Sequence, residues 1–116
     1  MAVARDRLAL ASIALAAGSY GGAVSAAYYA MLNAARAALS EEDRYAKTHS
    51  GTWTLFRETF GSTERFDGDL VTQAVRALEL RIGADYDAER LERDQAEHAV
   101  AFAARFVAAI EALYPD

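Results

Sequence analysis

Apolar residues recur at three- and four-residue steps along most of this chain, and no segment reads as a strand. The apolar run Leu8 to Ala17 predicts a first helix over about Ala4–Ala17, ended by Gly18. Gly21 and Gly22 fall either in a short turn or in the opening turn of a second helix. That helix continues through SYGGAVSAAYYAMLNAARAAL to about Leu39. Ser40 to Asp43 reads as its frayed end or as a separate capped turn, and Arg44 to Ser50 as a polar connection. A short third helix carries Trp53, Leu55, Phe56 and Phe60, with Thr48, Ser50 or Thr52 available as its cap. Gly61, Ser62 and Thr63 end it. Val71, Ala74, Val75, Leu78 and Ile82 mark a fourth helix over Asp69–Ile82. The fifth and longest, about Asp87 to Leu113, opens on alternating charges and closes on Phe102, Phe106, Ile110 and Leu113. The sole proline is Pro115, so nothing upstream interrupts helices of this length. The pattern predicts an all-α protein: an antiparallel four- to five-helix bundle, a single domain over residues 1–116.

Two faces need explaining beyond the simple stripe. In the last helix, Val100, Ala103 and Val107 lie off the Phe102–Phe106–Ile110 line, so the helix is apolar around more than half its circumference. Either two neighbours within the chain cover it, or a second copy does. Tyr28 and Tyr29 are separated by about 100° on a helix, so one faces the core while the other reaches a second surface. A base or ribose could stack there, although aromatics at helical spacing usually build core. Trp53 reads as a core anchor.

Composition narrows the function. Hydrophobic residues make up 53% of the 116, largely alanine, which favours thin, closely packed helices. Without cysteine there are no disulfides or thiolate metal sites, and the chain fits a reducing cytoplasm. A net charge of −5 argues against a protein that coats nucleic acid, so RNA contact must be a local patch or an active-site visit. The Leu8–Ala17 run is too short to span a bilayer. It also lacks a clean basic leader, because Asp6 sits between Arg5 and Arg7, so it reads as the first helix of the mature protein. His49 and His98 are too far apart in sequence to suggest a metal constellation. No nucleophile context appears, and GSYGG lacks the lysine and strand of a phosphate loop. Neither metal nor cofactor is expected.

Two clusters hold candidate chemistry. Arg81 and Asp85 are four residues apart and share a helix face if the helix persists through Gly83, while Tyr86 lies about 140° from Arg81 unless Gly83 or the helix end redirects the chain. They form either a phosphate-gripping arginine with its orienting acid and a phenol, or a structural ion pair with a tyrosine beneath. Lys47, Thr48, His49 and Ser50 offer a cation, two hydroxyls and an imidazole ahead of a helix N-terminus. That is an anion cradle, or equally a helix cap with a histidine bound to backbone.

The blocks AAYYAMLNAARAAL, KTHSG and RIGADYD, in that order, resemble the HEPN family of small helical proteins over most of the chain, from Leu8 to about Leu113. The resemblance implies a helical bundle that forms a homodimer, often encoded beside a small nucleotidyltransferase as a toxin–antitoxin pair. It further implies action on RNA as a metal-free ribonuclease, or binding of a nucleotide, at the dimer cleft. Family ribonucleases carry an arginine, four to six residues, then a histidine near the start of the last long helix. Here Arg81 matches the arginine and Tyr86 falls near the histidine, with no histidine between Arg81 and Glu97. A phenol of ordinary acidity is a poor base at neutral pH. Arg81, Asp85 and Tyr86 are thus the implied catalytic residues of a motif that departs from the family pattern, and Tyr86 is the implied target of adenylylation by the partner. Lys47, Thr48, His49 and Ser50 are the implied nucleotide- or phosphate-binding group. Arg44 and His49 repeat the arginine–histidine spacing in the wrong context, which reads as chance. The alternative function is a non-catalytic module that binds a nucleotide or a protein.

Overall fold

In a computed structural model, residues 1–61, 66–76 and 91–115 are described. Among them every regular element is helical: α1 (Ala2–Ala16), α2 (Tyr20–Glu41), α3 (His49–Phe60), α4 (residues 68–76) and α5 (Arg93–Leu113). The all-helical bundle expected from periodicity is what forms. Helix α2 is its centre, with α1, α3 and α5 all packed against it, and α1 also touching α5.

Alanine makes the central position of α2 possible. Ala23, Ala27, Ala30, Ala34, Ala35 and Ala38 are all essentially inaccessible, so methyl groups rather than long side chains set the distance to its neighbours. Ala4 and Ala11 of α1, and Ala96 and Ala103 of α5, are inaccessible as well. The other half of the core is aromatic. Phe56 of α3 packs on Phe60, Phe66 and Phe106 with ring centroids 4.8, 5.4 and 5.7 Å apart, and Trp53 meets Phe106 edge-on at 5.8 Å. Val100, Ala103 and Val107 are buried within the chain, so that face of α5 needs no second copy.

Both ends of α2 are set by local chemistry. Helix α1 closes in a Schellman motif, with Ser19 N–H donating to Ala14 carbonyl at 2.8 Å and Gly18 N–H to Leu15 carbonyl at 3.1 Å. Gly18 takes the left-handed conformation this requires, at φ +79°. Gly21 and Gly22 then belong to the opening turn of α2. The acidic segment after Leu39 is neither frayed nor a separate turn. Helix α2 runs through Glu41 and ends in a second Schellman motif, Arg44 N–H to Leu39 carbonyl (2.9 Å) and Asp43 N–H to Ser40 carbonyl (3.1 Å). Asp43 holds the left-handed position at φ +56°, a role aspartate fills better than most residues.

Other boundaries also differ from the sequence pattern. The last helix starts at Arg93 rather than near Asp87, because Leu91 and Glu92 are not helical. Gln95 reaches back to accept from Glu92 N–H at 3.0 Å and fixes that start. Arg5 of α1 pairs with Glu111 of α5, Nε and Nη2 donating to the two carboxylate oxygens, which ties the first helix to the last. No helix among the described residues is long and apolar enough to cross a membrane.

Candidate functional site

The connection from α2 to α3 places the second candidate cluster. Thr48 is the N-cap of α3, in extended conformation (φ −109°, ψ 161°), and its hydroxyl accepts from Gly51 N–H at 2.9 Å. Gly51 leaves room for this contact. A Cβ at Gly51 would stand 2.7 Å from Thr48 Oγ1, too close for the cap to close as it does. The side chain of Thr52 is wholly buried, its hydroxyl donating to the Thr48 carbonyl at 2.8 Å and accepting from Arg36 Nε at 3.3 Å. Ser50 is exposed and lines a shallow groove of about 180 Å³ with Trp53, Thr54, Arg57 and Val75. Lys47 is exposed. Of the four residues offered as an anion cradle, Thr48 spends its hydroxyl on the cap, while Lys47 and Ser50 face solvent.

His49 goes elsewhere. It is the first residue of α3 and half-buried, its ring 5.6 Å from that of Tyr29 and 6.0 Å from that of Tyr28. The tyrosine pair divides as helical geometry demands: Tyr28 is buried and Tyr29 half-buried, with their rings edge-to-face at 5.5 Å. Trp53 Nε1–H donates to the Tyr28 hydroxyl at 3.1 Å, a buried bond that links α3 to α2 beneath the histidine. Over Tyr29 lies Arg7 of α1, its guanidinium carbon 5.9 Å from the ring centroid. Cation, phenol ring and imidazole from three helices therefore converge on one partly open face, above an aromatic floor that continues through Trp53 into the core.

This convergence was only half visible in sequence. His49 and the tyrosine pair stood out separately, and periodicity alone could not join them. Arg7 and Arg36 carried no motif. The arginine–histidine spacing from Arg44 to His49 does not make a shared site, since Arg44 Nη1 donates to Thr59 Oγ1 at 2.7 Å while His49 turns to the tyrosines. Arg81, Asp85 and Tyr86, the candidate catalytic residues, lie outside the described residues, as do Leu78, Ile82 and Gly83. His98 is exposed on α5. Among the described residues no group of three or more histidines, cysteines or carboxylates is arranged to hold a metal ion.

Comparison with known proteins gives a consistent family. A UPF0332 protein from Gloeobacter violaceus is 35% identical over 86 residues, covering 72% of this chain and 68% of that protein. Two Methanocaldococcus jannaschii proteins, each named a "putative toxin", are also similar. One is 31% identical over 108 residues, covering 90% of this chain and 78% of its own length. The other is 34% identical over 80 residues, covering 68% of this chain and 54% of its own length. The HEPN domain profile matches residues 1–113, and with its bundle of helices around α2 the chain belongs to the HEPN domain family.

Proposed function

We propose that this HEPN protein is the toxin-like member of a toxin–antitoxin pair, a cytoplasmic homodimer that acts on RNA. Family membership and the two relatives named as toxins support the general role. The observation that carries the chemistry is the placement of His49, half-buried against Tyr28 and Tyr29. The segment after Arg81 lacks a histidine up to Glu97, so His49 is the imidazole we assign to proton transfer. Arg81 holds the scissile phosphate, with Asp85 orienting it and Tyr86 donating a hydrogen bond. Lys47 and Ser50 then receive the neighbouring phosphate at the start of α3. In cleavage without a metal, the ribose 2′-hydroxyl gives up its proton and its oxygen bonds phosphorus. The 5′-oxygen leaves and takes a proton, and a 2′,3′-cyclic phosphate remains.

The test is cleavage of RNA by purified protein in chelator, with products examined for the cyclic phosphate. Arg81→Ala and His49→Ala are each expected to lower the rate at least about a hundredfold. Activity equal in all three proteins, or absent from all across varied RNAs, rejects the assignment. Homodimerisation is supported by α1, whose outer face leaves Val3, Leu10 and Ile13 exposed. Resemblance also points to a nucleotidyltransferase as the partner, with Tyr86 as the adenylylated residue.

A second reading has its own support. The acidic net charge and the absence of the motif histidine favour a bundle that binds a nucleotide or a protein without cleaving it. Nucleotide binding that survives in a chain inactive on every RNA is the result that selects this reading.

A further inference from the structure

A second feature of the α2–α3 connection lies beyond His49. Arg36, Leu39, Arg44, Tyr45 and Ala46 line a cleft of about 100 Å³. Both guanidinium groups are held from one side. Arg36 Nε donates to the buried Thr52 hydroxyl, and Arg44 Nη1 to Thr59. Among the described residues neither arginine forms an ion pair with a carboxylate, and Glu41, Glu42 and Asp43 do not line the cleft. In a chain of net charge −5, a cleft whose wall holds two arginines and no carboxylate is out of keeping with the overall balance. Beside them Tyr45 is 74% exposed, far more than any other aromatic side chain described. The turn that carries it is fixed by the Schellman motif at Asp43, so the ring is presented from a defined backbone.

Arginines without acid partners beside an exposed aromatic ring match one chemistry well. The guanidinium forks take phosphate oxygens, and the phenol ring stacks on a base. We infer that the Arg36–Arg44–Tyr45 cleft is a binding site for single-stranded RNA, seating one phosphate between the arginines and one base on Tyr45. Choice of RNA as the ligand rests on the proposed function; the site itself does not depend on cleavage. Lys47 continues the path, since Tyr45 and His49 are only four positions apart, at most about 14 Å of chain. One strand thereby runs from the cleft to the imidazole face.

The experiment is fluorescence anisotropy with a labelled 2′-O-methyl oligouridylate, which lacks the free hydroxyl needed for cleavage. Tyr45→Ala and Arg44→Ala are each expected to weaken binding about tenfold. Arg44→Ala also flattens the dependence on salt, whereas Tyr45→Ala leaves that slope unchanged. Arg105→Ala on α5 removes the same charge far from the cleft in sequence and is expected to bind as the parent does. Circular dichroism melting checks each variant, and Tyr45→Ala keeps the test open if an arginine variant fails to fold. No binding by the parent chain, binding indifferent to Tyr45 and Arg44, or equal loss in Arg105→Ala overturns the site. Affinity for oligothymidylate well above that for the oligouridylate overturns RNA as the ligand. The catalytic proposal is judged separately, by cleavage in the parent and His49→Ala, whereas the cleft is judged by binding in the parent, Tyr45→Ala and Arg44→Ala alone.

Discussion

Tyr28 shows how much a single polar atom contributes beneath the site. Its hydroxyl accepts the Trp53 indole N–H, and both side chains are almost entirely removed from water. Tyr28→Phe keeps the ring but leaves a buried donor without that acceptor, which costs about 1–3 kcal/mol. Urea denaturation is expected to show this loss, with little further loss when Trp53→Phe is added beyond the packing it removes. That one tyrosine of the pair would face the core and the other a second surface follows from helical spacing; that Tyr28 is the buried one and Tyr29 the half-buried one comes from the structure. The hydrogen bond was not legible, because Trp53 lies 25 positions away on another helix.

Helix ends, more than helix interiors, decide where the site residues stand. Thr48 sets the first turn of α3 and with it the direction of His49. Thr48→Ala is expected to cost about 1 kcal/mol and Thr48→Ser much less, read from urea midpoints. Three hydroxyls in this stretch were equally suitable by residue type. Which of them caps depends on where α3 starts: Thr48 precedes the first turn, whereas Ser50 and Thr52 lie inside it, which periodicity does not report to the residue. Asp43 is similar: its acidic neighbours suggested either fraying or a new turn, whereas two crossing hydrogen bonds and a left-handed backbone end α2 sharply. Core helices were legible because alanine and apolar spacing act locally. Their exact ends were not, since caps are settled by side chains reaching back across the turn.

At the scale of the whole molecule, α1 is the least covered element. Leu10 is 49% and Ile13 65% exposed, three residues apart on its outer face. If a second copy covers them, the double substitution Leu10→Glu with Ile13→Lys shifts the light-scattering mass from dimer to monomer while helicity is kept. A parent chain that is monomeric at micromolar concentration rejects the homodimer. The face of α5 that the sequence left open between neighbours in the chain and a second copy is filled internally; broad apolar faces are ambiguous until neighbours are placed. The alanine seam between α1, α2 and α5 has a further consequence. A methyl side chain has no rotamers to lose, so ordering these alanine positions carries almost no side-chain entropy. It equally has no rotamers with which to accommodate change. An enlarged residue in the seam must displace a whole helix, and because α2 carries Tyr28 and Tyr29, the displacement arrives at the imidazole as a change of aim.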